Sequence, residues 1–193
     1  MPKVVDAENQ RAQIRAAARQ VFARRGVRGT GLAHVAEAAG MVRSNLYHYY
    51  SDKDALLGDM VREMLAQERL LFRSCLEFDA PPVERLENLA RSCAALFPEW
   101  AAFGRAIMDL RLEDAKLLRK FFREIRRDLA AVISEGQSDG SIARTPEAAA
   151  MSSILIGAID GLLLQYFVDS RALPEPDDLA GALVEVTRRM LAP

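Results

Sequence analysis

The chain has 193 residues, half of them hydrophobic and 27% charged, with a formal net charge of -1. That composition excludes disordered, collagen-like and disulfide-scaffold proteins and leaves a globular chain long enough to bury a core. Up to Lys53 there are nine basic against four acidic residues, which leaves 17 basic against 23 acidic in the remainder. A basic front on an acidic body suits a polyanion-binding module joined to something else, although a solvated helix face gives the same count.

Strand signals are nearly absent and Ala, Leu, Arg and Glu dominate, so the reading is all-α with about nine helices. A first helix covers about Glu8 to Arg25, with Ile14, Ala18, Val21 and Phe22 on one stripe and Gly26 ending it. Thr30 stands as N-cap of a short helix whose apolar face is Leu32, Val35, Ala36 and Ala39. Gly40 breaks it, and a second short helix follows from Arg43 to Tyr49. Ser51-Asp52 caps a long helix that runs from Lys53 into the seventies, with Leu56, Leu57, Met60, Met64 and Leu71 inward. Pro81-Pro82 opens a helix to about Phe97, and Pro98 opens one holding Trp100 and Phe103. Glu113 to Gln137 forms the next, stopped at Gly136 or by the turn Ser138-Asp139-Gly140. The last two cover about Pro146 to Asp169 and Asp177 to Leu191, parted by Pro174-Glu175-Pro176.

Two domains are expected, 1–53 and 54–193, with the long fourth helix joining them. Ile154 to Val168 is apolar, but it is shorter than the ~20 residues of a membrane span and carries Asp160 and Gln165, so it reads as a buried helix. The stretch MPKVVDAENQR lacks the apolar run of a signal peptide, and a cytoplasmic protein is expected. Cys75 and Cys93 fit no CxxC spacing and no histidine cluster, so free thiols without a metal or cofactor are expected.

Thr30 to Tyr49 has the dimensions of a helix-turn-helix, whose second helix lies in the major groove of DNA. In that helix Leu46 and Tyr50 lie four apart and pack inward. Arg43, Ser44, Tyr47 and His48 face out and supply donors for phosphates and an aromatic edge for thymine methyls.

From Arg11 to Leu57 the sequence resembles the TetR family DNA-binding domain. It matches the family's AA-x-x-x-F first helix, its IA-x-x-AGV middle and its LY-x-x-F-x-x-K-x-x-L end. The matching residues are Ala17-Ala18, Phe22, Gly26, Thr30, Val35-Ala36, Ala39-Gly40-Met41, Leu46-Tyr47-His48-Tyr49-Tyr50, Lys53 and Leu56. The resemblance implies a phosphate contact at Thr30, base contacts from Arg43, Ser44 and Tyr47, and phosphate-side roles for His48, Tyr49 and Lys53; Asn45 completes the expected DNA-binding set. Val42 departs from the family's Ser or Thr cap and forgoes a side-chain cap worth about 1 kcal/mol. Ser44 departs from a common glycine and should alter base preference. Arg15, Arg19 and Arg28 add diffuse attraction for the backbone or are only solvated, and His34 is expected to be exposed without assigned chemistry.

The resemblance further implies a C-terminal ligand-binding and dimerisation domain. Its homodimer would form through the last two helices, where Ile154, Ile156, Ile159, Leu163 and Phe167 face Leu179, Leu183, Val186 and Met190 in a four-helix bundle. Candidate contacts for an unknown small-molecule effector are Trp100, Phe103, Ile107, Phe121, Asp160 and Gln165; core packing for the aromatics, and interior or interface roles for the two polar residues, stay open beside them. Arg105 and Arg111 would suit an anion, Asp109 and Asp160 a cation. The expected function is a repressor released from a palindromic operator by its effector, with an activator or ligand-independent regulator as the alternative. A small helical enzyme or adaptor competes from another class. Against an enzyme, both histidines lie in the DNA-binding module and no nucleophile-base pair is visible elsewhere.

Overall fold

The structure is a computed structural model that describes residues 2–98, 100, 115–169, 171 and 173–193. Among them are eight helices and no strand. These are α1 (Pro2–Arg25), α2 (Leu32–Ala38), α3 (Arg43–Tyr47), α4 (Lys53–Leu76), α5 (Pro82–Ala95), α6 (Ala115–Asp139), α7 (Ala148–Val168) and α8 (Pro176–Leu191). The helix expected after Pro98 falls largely outside the described residues, as do Phe103, Arg105, Ile107, Asp109 and Arg111. Two compact units emerge, one reaching Glu63 and the other starting at Met64, which meet inside α4.

In the first unit α2 packs on α1 and α3 on α2 around Ile14, Ala18, Phe22, Val35, Leu46, Tyr50 and Leu56, all buried. Burial of each large apolar side chain contributes about 1.5–3 kcal/mol. Gly26 ends α1 at φ +73°, the left-handed conformation in which a side chain is strained. Gly40 does the same for α2 at φ +66°. There the Met41 amide reaches Ala36 O at 2.9 Å and the Gly40 amide reaches Glu37 O at 3.1 Å, the paired bonds of a Schellman stop.

Two expectations for this unit are corrected. Thr30 does not cap α2: Gly31 is the cap, and its amide donates to His34 Nδ1 at 3.3 Å, so His34 closes the helix start instead of standing idle. Thr30 is buried and its hydroxyl donates to Gly26 O at 2.7 Å. Arg15 is not a solvated charge either. It is 7% exposed, with Nη2 2.8 Å from Glu8 Oε1, Nη1 3.0 Å from Asp59 Oδ2 and Nε 3.0 Å from Glu63 Oε2. The Nε approach is an ion pair without hydrogen-bond alignment. Arg19 adds a 3.0 Å contact to Glu63 and Arg11 lies 3.9 Å from Asp59. Arginines at positions 11, 15 and 19 therefore interleave with acids at 59 and 63, one helical turn apart on each helix.

In the second unit α5 packs most extensively against α8, and α6 against α7. Ala90 and Ala94 of α5 meet Ala180, Leu183 and Val184 of α8, with Leu162 of α7 half-buried against them. Arg188 forks onto Glu87 at 2.7 and 3.0 Å. α6 runs through Gly136 to Asp139, and Gly140 makes the turn at φ +84°. Gly136 serves packing: a Cβ there would lie 2.5 Å from Ile142 Cδ1. On α4, Leu71 is half-buried and the inward position belongs to Phe72. Both cysteines are buried free thiols.

α7 is 21 residues long, so its length does not exclude a membrane span as the shorter apolar segment suggested. Its inward face carries Met151, Ser152, Leu155, Ile156 and Ile159. The opposite face leaves Ile154, Leu164 and Val168 at 53, 45 and 75% exposure.

Leu183 and Leu179, expected to face a second subunit, are buried within the chain itself, as are Ile156 and Ile159. A carboxylate at position 183 would sit among alanine and valine side chains. Leu183→Glu should therefore lower the urea midpoint by the equivalent of about 3 kcal/mol or more, whereas the volume-conserving Leu183→Met should cost less than about 1.5. Equilibrium unfolding followed by helical circular dichroism separates the two, and equal midpoints would place Leu183 outside the core.

Candidate functional site

α3 is five residues long and its N-cap, Val42, makes no side-chain cap bond. A helix this short holds little stability of its own, so its place is fixed by what it is tied to. Leu46, fully buried, is one tie, and Tyr50 is the other. The Tyr50 amide donates to Leu46 O at 3.1 Å, and its hydroxyl donates to Asp59 Oδ2 at 2.6 Å. Burial alone would raise the Asp59 carboxyl, but hydrogen bonds from Tyr50 and Arg15 outweigh it and hold the group below its ordinary value. Burial and the adjoining carboxylate push the Tyr50 phenol up to about 12, so it remains a donor at neutral pH.

The opposite face of α3 points outward. Arg43, Ser44 and His48 are exposed, Tyr47 is 43% exposed, and Asn45 and Tyr49 are half-buried at the edges. Arg43 lies over the Tyr47 ring at 5.7 Å and its Nη2 donates to Tyr47 Oη at 3.3 Å, an i,i+4 pair that orders two donors side by side. Val42, 71% exposed, adds an apolar group at the head of the helix that the sequence reading treated only as a missing cap.

Two more residues expected to touch DNA, Thr30 and Lys53, lie outside α3 and are bonded within the chain. Thr30 is buried, its hydroxyl on Gly26 O. Lys53, half-buried, donates from Nζ to Val27 O at 2.9 Å, tying the start of α4 to the loop after α1. The start of α4 is capped as expected, the Ala55 amide donating to Asp52 Oδ1 at 2.8 Å.

In the second unit Trp100 and Phe121 are buried, the latter edge-on to Phe122 at 5.5 Å. Phe97 and Tyr166 contact at 6.2 Å. Gln165 lies on the exposed face of α7 with Nε2 donating to Gly161 O at 3.2 Å. Asp160 turns inward and is half-buried, and burial raises its carboxyl to about 6. It acts on Glu68 of α4, 8% exposed, whose carboxyl is pushed up to about 8 by burial and then by the Asp160 charge. The sequence reading missed Glu68, although Met64, Glu68, Phe72 and Cys75 share one helical stripe, which marks it as an acid on an apolar face. A cavity of about 10 Å³ lies among Phe72, Leu86, Leu129, Leu155 and Ile159, and of the candidate effector contacts none of the described ones, Trp100, Phe121, Asp160 and Gln165, lines it.

Residues 14–60 match the tetR family of bacterial regulatory proteins. Over 81 residues the chain is 30% identical to the HTH-type transcriptional repressor KstR2 of Mycobacterium tuberculosis, a match covering 42% of this chain and 40% of that repressor's length. The fold is that of a TetR/AcrR-family transcriptional regulator from Thermobifida fusca, with a TM-score of 0.78 at 18% identity over 93% of this chain and 97% of the other. It is also that of AibR in complex with isovaleryl coenzyme A and operator DNA, with a TM-score of 0.71 at 20% identity over 92 and 97% of the two chains.

Glu68 has a consequence for stability. Between the ordinary carboxyl value of 4.5 and about 8, an unfolded chain has released the Glu68 proton while the folded one retains it. Stability must then fall as pH rises through that window and level off above it. Glu68→Gln should flatten this fall and stabilise the protein at pH 8 and above, leaving the smaller Asp160 contribution below about 6. Urea midpoints measured across the window test this, and parallel profiles for the two proteins would mean that Glu68 is ionised in the folded state.

Proposed function

We propose that the chain is a TetR-family regulator acting as a homodimeric transcriptional repressor, released from a palindromic operator by a small molecule bound in the second unit. The observation that carries the reading is the division of α3 into a tied inner face and an outward face of Arg43, Ser44, Tyr47 and His48. Arg43 suits the O6 and N7 acceptors of guanine, while the Tyr47 ring and the exposed Val42 methyls suit a thymine methyl. His48 and Tyr49 take phosphate-side roles.

Dimerisation is supported by the outward faces of α7 and α8. Ile154, Ala158, Gly161, Leu164 and Val168 follow one stripe on α7, and Gly181, Ala182 and Val186 follow another on α8, with Val186 61% exposed. A Cβ added at Gly157, Gly161 or Gly181 would meet nothing within 4 Å, so packing inside the chain does not call for glycine at these sites. A second copy covering the face by two-fold symmetry accounts for both the apolar stripe and the small residues. Two recognition helices would then lie about 34–36 Å apart, one turn of DNA.

Effector binding shifts the balance between dimer forms by its differential affinity for them. AibR is a precedent in the same fold for a regulator that takes an acyl coenzyme A. Here the buried pair of Glu68 and Asp160 favours an effector whose innermost group is neutral or cationic rather than anionic.

Binding should weaken steeply with salt, and Tyr47→Ala should cost about 1–3 kcal/mol on the preferred duplex while changing affinity for a shuffled one little. Gel shifts with the two duplexes at several salt concentrations check this; equal losses on both would assign Tyr47 to the backbone. The dimer face is tested by Leu164→Glu, which alters an exposed position and should leave the helical melt intact. Light scattering should report monomers and operator binding should be lost, whereas a dimeric Leu164→Glu protein would put the interface elsewhere.

A further inference from the structure

We infer that Tyr50, Asp59 and Arg15 form a positioning relay that sets the orientation of the recognition helix, so that side chains off its outward face govern how sharply base sequence is discriminated. The inference rests on the DNA-binding reading above and assigns to it three positioning residues.

α3 has five residues and no side-chain cap. Its apolar tie, Leu46, fixes depth but leaves rotation about the helix axis free. Tyr50 removes that freedom, because its amide is bonded to Leu46 O on α3 and its hydroxyl to Asp59 on α4. The Asp59 Oδ2 that accepts from Tyr50 at 2.6 Å also accepts from Arg15 Nη1 at 3.0 Å. Arg15 is held in turn by Glu8 on its own helix and by Glu63 on α4. Arg11 closes the arrangement from above, its guanidinium 5.1 Å from the Tyr50 ring centre. Any rotation of α3 that moved Tyr50 would strip a buried phenol and a half-buried carboxylate of a shared bond.

Filling space does not require the hydroxyl. The LY-x-x-F pattern has Phe here, the same ring without the hydroxyl, so ring packing alone does not account for the bond to Asp59. Base readout tolerates displacements of only about 0.5 Å, while long side chains follow a phosphate over larger shifts. Loss of the relay therefore appears in discrimination before it appears in overall affinity.

The experiment uses the full chain and two duplexes, one selected by the wild-type protein from a random pool and one a shuffled version of it. Tyr50→Phe and Asp59→Asn should each reduce the ratio of the two affinities by about tenfold, the scale of one hydrogen bond to a charged group. Affinity for the shuffled duplex and its salt slope should stay as in wild type, and the double variant should be no worse than Asp59→Asn alone. In the DNA-free protein, amides of His48, Tyr49 and Tyr50 should exchange faster in Tyr50→Phe while those of α2 keep their protection. A role in stability alone would lower both affinities together and leave their ratio unchanged, which overturns the relay. A Tyr50→Phe protein with wild-type discrimination overturns it as well. If wild type selects no duplex, the DNA-binding reading fails by itself, and the exchange measurement decides the relay: unchanged protection at His48 to Tyr50 rejects it.

Discussion

A buried guanidinium is the constraint on which the first unit depends. Arg15 is 7% exposed, and a charge at that depth persists only when surrounded by opposite charge. Glu8, Asp59 and Glu63 supply it, and although burial alone would lower its pKa, these partners hold the guanidinium fully charged. Replacing such a cluster with apolar side chains often leaves stability unchanged, so its value lies in geometry more than in energy. Arg15 permits one relative placement of α1 and the start of α4, and Tyr50 and Lys53 transmit that placement to α3 and to the loop after α1. A five-residue helix is held in place because its neighbours are locked, not because it is stable alone.

The second unit distributes polarity differently. Its interior contains two acids, Glu68 and Asp160, whose carboxyls are raised by burial and which pair with no cation among the described residues. Its exterior carries the reverse anomaly, an apolar helix face on α7 that water would otherwise wet. An acid inside and hydrocarbon outside each carry a free-energy cost in an isolated chain. A regulator that takes an effector within and a second copy of itself without would relieve both.

Much of the architecture was legible in the sequence because helix signals are local. Periodicity placed α4, α5 and α8 to within a few residues of their boundaries and the end of α1 at Arg25, although α1 starts at Pro2 rather than near Glu8, and Gly26, Gly40 and the Pro-rich breaks marked real stops. The division of α3 into Leu46 and Tyr50 inward, Arg43 and Tyr47 outward, followed from a four-residue spacing and holds in the structure. Where the reading went astray, the deciding partner was distant or the competing geometry subtle. Thr30 looked like a cap, but the start of α2 one residue later gave that position to Gly31 and left the hydroxyl to Gly26 O. Leu183 looked like an interface residue because an apolar stripe does not say which of two surfaces it meets.

The amino-acid sequence by itself determined that this chain is helical, that it carries a helix-turn-helix and which face of α3 is polar, since each is written in spacings of three to four residues. The tertiary structure alone decided which charges are structural and which are free. Arg15 and Asp59 are 44 residues apart, and nothing in either neighbourhood announces the other. It likewise decided that Leu183 faces α5 while Ile154, Leu164 and Val168 face outward. The physical reason is the same in both cases: burial and ion pairing are properties of two elements brought together, and a helix specifies its own faces but not the partner each face will meet.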